Sequence, residues 1–262
     1  MLFRSGSGTA KTLPTTTGTE WVFEQVNART AAVGINPDFV QAKGTESTSG
    51  ITIIAASPSA SRASAMLADA KAAVAKYTAW YGAAPYNRLR VVESSYLSYS
   101  EEYPALVFIG DNGSSGSSRR TYLVRHETAH QWWYGLSANH QLDAAWADES
   151  FAEFSARLIA GTNPSSCSSS KIDLAPDAYK VFSGNCASYW DTVYLRGTRM
   201  LWAVKTKIGQ TKLLTCLRND LQGHRFSLVT GPALADVLEA CDPAVRAIIA
   251  PYLSTTTLDP VP

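Results

Sequence analysis

Residues 126–130 read His-Glu-Thr-Ala-His, and this pentad holds two of the four histidines in a chain of 262 residues. On a helix, side chains four apart project from one face on neighbouring turns. Two imidazoles placed this way can reach a single ion at about 2.0–2.1 Å. Glu127 is offset around the helix and can face a water on that ion, which is the place of a general base. Imidazole ligation favours zinc over magnesium or calcium. Tyr122, Val124, Ala129 and Trp133 supply the helix with an apolar back.

A catalytic zinc takes a third protein ligand and keeps one position open. Position 136, where a metzincin-type site needs histidine, is Leu136, and His140 follows no zinc spacing. Glu149 lies nineteen positions after His130 on a second helix beginning near Trp146, and a connection of that length lets the helix pack antiparallel and present its carboxylate. Glu153, one turn further on, is the alternative ligand. Two neutral histidines and one carboxylate leave residual positive charge, enough to bring the pKa of a coordinated water to about 7. Glu127 would take the proton of that water as it attacks a carbonyl and pass it to the leaving amine. The developing oxyanion needs a further donor. A phenol suits, being protonated at neutral pH, but the chain has 12 tyrosines and composition selects none of them.

With eighteen residues between His130 and Glu149, the pattern H-E-x-x-H-x18-E resembles the aminopeptidase N family of zinc metallopeptidases, of the gluzincin type, whose relatives include the leukotriene hydrolase; the thermolysin group uses one residue more. The likeness extends beyond the ligands. His130-Gln131-Trp132-Trp133 is similar to the family's H-Q-W run. Trp146-Ala147-Asp148-Glu149-Ser150-Phe151-Ala152 is similar to W-x-N-E-G-F-A, with Asp for Asn and Ser for Gly. Tyr81-Gly82-Ala83-Ala84-Pro85-Tyr86 resembles the G-x-x-P-Y segment, and Tyr194-Leu195-Arg196-Gly197 resembles Y-x-K-G. These motifs stand in family order across roughly residues 20 to 262.

The resemblance implies that Tyr194 stabilises the oxyanion beside zinc. It implies a peptide substrate, one zinc per chain, and a glutamate that binds the substrate's free amino group within a G-A-M-E-N or G-G-M-E-Y-P segment. Here that stretch is Tyr99-Ser100-Glu101-Glu102-Tyr103-Pro104, so Glu102 is the candidate amine anchor while the preceding Gly and Met positions are lost. Glycine permits close backbone approach, and Tyr99 and Ser100 would reshape the cleft. Two other readings stand beside this one: a peptidase without strict N-terminal preference, and a catalytically silent zinc-binding interaction module. Asp148 would orient a ligand or cap its helix.

The elements that must position these residues are also legible. Val22–Val26, Pro37–Val40 and Ile51–Ala55 read as strands between Gly, Asn and Ser-rich turns. Residues 61–81 change to helical period, with Met66, Leu67, Ala70, Val74, Tyr77 and Tyr81 on one stripe, Ser61 as cap and Gly82 beyond the end. Arg88–Glu93 and Ala105–Ile109 are strands. Arg120–Tyr134, Trp146–Ala160, Val193–Ile208 and Thr211–Leu221 are helices, with 162–188 irregular. The fold class is therefore α+β, a small mixed sheet followed by a helical block, which the family resemblance makes a thermolysin-like catalytic domain over 61–262. Residues 20–60 are read as a β-rich remnant of an N-terminal domain and 1–19 as a flexible tail. The chain is short for the family, which implies contact with missing domains or self-association.

Composition sets outer bounds. Hydrophobic residues make up 45% and charged residues 17%, with a formal net charge of +1. That balance lacks the basic footprint of nucleic-acid binding. No run of about 18 apolar residues marks a membrane span. The N-terminus lacks the apolar stretch of a secretion signal. Cys167, Cys186, Cys216 and Cys241 form no C-x-x-C pair. Pairing of Cys167 with Cys186 and of Cys216 with Cys241 would imply an oxidising, extracytoplasmic setting.

Overall fold

Strand structure begins earlier than the sequence pattern suggests. The structure is a computed structural model and describes residues 3–259 apart from 96, 98, 111–115, 166–170 and 175–188. Four short strands come first: β1 (Phe3–Gly6), β2 (Thr9–Pro14), β3 (Thr19–Glu24) and β4 (Val33–Asn36). β1 pairs antiparallel with β4, and β2 with β3. The expected flexible tail thus carries β1 and β2. Their Thr, Ser and Gly-rich sequence hides them, because ladder hydrogen bonds rather than an apolar face hold an exposed ribbon such as β2.

Five further strands build one mixed sheet: β5 (Val40–Thr45), β6 (Thr52–Ser57), β7 (Arg88–Ser94), β8 (Glu101–Tyr103) and β9 (Leu106–Gly110), in the order β5-β6-β7-β9-β8. β6, β7 and β9 run parallel, and β5 and β8 are antiparallel edges. Residues 37–39, read as part of a strand, form the turn before β5. The near-continuous apolar runs of β6 and β9 belong to strands covered on both faces. One face carries Ile53, Ala55, Leu89, Val91, Val107 and Ile109 against Met66, Ala70 and Val74 of α1 (Ala60–Tyr81) and Val124 of α2 (Ser117–Ala129). The other carries Ala56, Val92 and Leu106 against Ala32, Phe39, Tyr103 and Phe108. Each large apolar side chain among these contributes about 1.5–3 kcal/mol on full burial.

α1 starts slightly earlier than expected from Ser61, since Ser59 accepts from the Arg62 amide (3.4 Å). It ends at Gly82, whose φ of +85° is a left-handed stop that glycine adopts without strain. α2 is short of an apolar stripe. Val124 and a hydrogen bond from the Thr121 hydroxyl to Asp69 of α1 (2.8 Å) seat it.

The chain forms two compact units, Met1–Lys76 with Ala84–Gln131, and Tyr77–Ala83 with Trp132–Pro262. The second contains β10 (Ser137–Asn139), α3 (Trp146–Ala160), a π-helix (Trp190–Arg196), α4 (Gly197–Ile208), α5 (Gln210–Gly223), β11 (Ser227–Val229), α6 (Gly231–Cys241), α7 (Val245–Ile249) and α8 (Thr255–Leu258). β10 and β11 pair in parallel. Cys216 and Cys241 are bridged, joining α5 to α6; Cys167 and Cys186 lie outside the described residues. Among the described residues, no helix is long and apolar enough to cross a membrane.

Candidate metal centre

α2 delivers the pentad as its last turn. The helix ends at Ala129 rather than at Tyr134, with His130 as its C-cap (φ −62°, ψ −13°). The next residues turn because two indoles must be buried. Trp132 donates through Nε1 to the Gly82 carbonyl (3.1 Å). Trp133 stacks on Phe151 of α3 at a centroid distance of 4.4 Å and meets Tyr81 edge-on. The Tyr81 hydroxyl in turn shares a hydrogen bond with Ser155 of α3 (2.8 Å), and burial pushes its pKa well up.

His126, Glu127 and His130 are all buried. The two imidazole Nε2 atoms stand 3.2 Å apart. That distance suits one N–H···N hydrogen bond or two donors on one ion. Two ligands at about 2.05 Å from a tetrahedral centre are about 3.3 Å apart, so the observed separation of the pair suits a shared zinc. Ligand atoms of His126, His130 and Glu149 all lie within 4.8 Å of one another, and this group could hold a metal ion. Ligand atoms of Glu102, Glu127 and His130 meet the same test. The first group has the two-imidazole, one-carboxylate composition of a zinc site; the second, with two carboxylates, is the harder donor set.

Glu149 sits in the first turn of α3, where the helix N-terminus favours a carboxylate. Its amide donates to Oδ1 of the buried Asp148 (2.7 Å), a bond between neighbours inside the first turn, while the N-cap, Ala145, offers no side-chain hydrogen bond. The alternative ligand Glu153 is fully buried and paired with Arg157 one turn on. His140 is exposed and pairs with Asp143 (2.8 Å). The C-terminal end of α3 is closed by Gly161 at φ +68°.

Glu102 lies within the edge strand β8, opposite Val107. Alternation along a strand sends neighbours to opposite faces, so Glu101 and Tyr103 go with Phe108 and Leu106 while Glu102 shares the face that α2 covers. This explains its closeness to Glu127 and His130. Tyr194 is half-buried on the π-helix, packed against Trp190 (4.5 Å) and Tyr189 (5.8 Å). The sequence suggests a single helix from Val193; the π-helix separates Tyr194 from α4, and such bulges recur at functional sites.

Two contacts involve residues that stand within the motifs but to which the sequence assigns no role. Ser150, next to Glu149, donates to the carbonyl of Val193, next to Tyr194 (2.7 Å). Gly197 makes room for it, since a Cβ there would lie 1.9 Å from Ser150 Oγ. Gln131 also bonds the β8–β9 turn. The signals are present as the Ser for Gly exchange at 150, the Gly of Y-x-x-G, and the H-Q-W run, but type and spacing alone do not say what a Gln or Gly touches.

No protein-family model matches the chain. It is 29% identical over 162 residues to aminopeptidase N of Lactobacillus helveticus, a match covering 54% of this chain and 19% of that protein. Its fold matches the M1 zinc metallopeptidase of Deinococcus radiodurans, with a TM-score of 0.70 at 15% identity over 97% of this chain and 61% of that one. A variant of that enzyme bound to a Tyr-Ser-Ala substrate gives a TM-score of 0.69 at 14% identity, with the same coverage. The chain thus spans about a fifth of the curated relative and about three-fifths of the solved ones. Sequence over half its length and fold over nearly all of it agree with the motifs, and the family this chain is similar to is the aminopeptidase N family of M1 zinc metallopeptidases.

Proposed function

We propose that the chain is a zinc-dependent peptidase that removes N-terminal residues from oligopeptides. The donor set carries this reading: two histidine nitrogens 3.2 Å apart with the Glu149 carboxylate in the same cluster. His126, His130 and Glu149 hold one zinc per chain. When bound, zinc supplies Lewis acidity toward a water and the scissile carbonyl. Glu127 takes the proton of the attacking water and delivers it to the leaving amine. Tyr194 donates a hydrogen bond to the oxyanion; the Ser150–Val193 hydrogen bond, which couples its segment to the start of α3, supports that role. Glu102 pairs with the protonated α-amine of the substrate, supported by its place beside Glu127 and His130. The Tyr-Ser-Ala substrate of the Deinococcus enzyme is of the class proposed here.

A second reading, cleavage without N-terminal preference, is favoured by the segment before Glu102. Ser100 accepts from the Gly110 amide (3.0 Å) where the family resemblance implies an open glycine. Aminoacyl anilides with free and acetylated α-amines separate the two. The proposal expects the free amine to be cleaved and the acetylated one to react about a hundredfold more slowly, the loss of one charge-assisted contact in a partly desolvated site. Equal rates defeat the exopeptidase reading. Stoichiometric zinc with no hydrolysis of either defeats the enzyme.

A further inference from the structure

Gln131 follows His130 directly and is buried at 4% exposure. Its side chain makes two hydrogen bonds to the turn joining β8 and β9. The Ala105 amide donates to Gln131 Oε1 (2.9 Å), and Gln131 Nε2 donates to the Tyr103 carbonyl (3.1 Å). Within this turn, Ala105 holds a φ of +62° although it is not glycine. L side chains are disfavoured in this left-handed region, and a residue stays there when its surroundings over-determine it. Here the amide of Ala105 is held by Gln131, and its carbonyl accepts from the Arg90 amide of β7 (2.9 Å).

The turn matters because it joins β8 to β9, its neighbouring strand among the described residues. β8 has three residues and one neighbouring strand, so few ladder bonds fix it. Glu102 is its central residue. Its carboxylate lies within 4.8 Å of the His130 and Glu127 ligand atoms. One short path therefore joins a metal-binding imidazole to the amine anchor: His130, Gln131, the Tyr103–Ala105 turn, Glu102. In any α-amino acid the distance from amine to scissile carbonyl is nearly constant. An exopeptidase needs the two groups that bind them held at a matching constant separation.

We infer that Gln131 is a positioning residue that sets recognition of the free α-amine, acting through the left-handed Ala105 turn on Glu102. The inference rests on the aminopeptidase reading and deepens it.

The test is Gln131→Met, which keeps volume and removes both hydrogen bonds. The variant is expected to bind one zinc per chain and to keep kcat within about threefold. KM for a free-amine anilide should rise about tenfold, and the preference for free over acetylated substrate should fall by a similar factor, the loss of two hydrogen bonds of ordinary strength. Amide hydrogen exchange should show Ala105 losing protection while the α2 amides keep theirs. Adding Ala105→Gly to Gln131→Met should recover most of the KM change, because glycine takes a positive φ without help. A purely structural role would not give that rescue. Should Gln131→Met fail to fold, Gln131→Glu keeps the acceptor for Ala105 and loses the donor to Tyr103, and should raise KM in the same direction.

Unchanged KM with unchanged Ala105 protection overturns the inference. So does a parallel loss of zinc and kcat that the second substitution does not rescue. If the parent protein cleaves neither free nor blocked substrates, the functional reading fails separately. Exchange at Ala105 and the place of Glu102 in a crystal structure of Gln131→Met then still decide the positioning claim.

Discussion

Glu149 and Glu127 both bring a carboxylate close to the His130 imidazole, and the distinction between them is one of chain position. Glu149 belongs to the first turn of α3, with its own amide bound to Asp148 and the helix N-terminus behind it. That setting favours a fixed negative charge, which suits a ligand. Glu127 is buried on α2 between the two histidines in sequence and beside Glu102 in space. Glu149→Gln keeps shape and removes charge. It should weaken zinc binding by at least about a hundredfold, more than the loss of a residue that merely orients a ligand. Competition with a chelator of known affinity reads this directly. Affinity equal to the parent's would transfer the ion to the Glu102, Glu127 and His130 group. Glu153 is no rival, because its charge is already met by Arg157.

At the scale of elements, the contact of α3 with the π-helix is the sharpest structural constraint in the second unit. Ser150 occupies the space that Gly197 leaves, and its hydroxyl holds the Val193 carbonyl. Gly197→Ala would put a Cβ 1.9 Å from Ser150 Oγ. Overpacking of this kind costs about 1–3 kcal/mol, so the urea midpoint should fall, and Ser150→Gly in the same chain should restore much of the loss. A Gly197→Ala protein as stable as its parent would show that the two elements can separate at little cost. The same elements show what a sequence can and cannot disclose. α3 is legible to its ends because an acidic first turn, an apolar face with Phe151 and Phe154, and Gly161 all agree. α2 is shorter than its pattern implies, since Trp132 and Trp133 fit a helical stripe and only tertiary packing turns them into the aromatic core. β1 and β2 carry no periodic signal.

For the whole molecule, the α+β class, the mixed sheet and the helical block are readable from periodicity, and the fold agrees over 97% of the chain with M1 zinc metallopeptidases. The division into two units is not readable. It cuts α1 after Lys76 and the chain after Gln131, inside segments that are continuous in pattern. Long-range contacts decide such boundaries, and one sequence does not record them. The spacing of the paired histidines is more legible than the architecture around it. Ligand spacing on a helix is a local property, whereas the burial of Gln131 or the fit of Gly197 depends on residues dozens of positions away.

In the proposed function, two imidazoles and one carboxylate hold zinc while Glu127 moves the proton. Zinc content and peptide turnover measured together on the parent and on Glu127→Gln test it most directly. One zinc per chain is expected in both proteins, with a fall in kcat of about a thousandfold or more in the variant, the combined scale of general-base and metal-assisted catalysis. A variant that turns over peptide at the parent's rate, or a parent that folds but takes up no zinc, would contradict it.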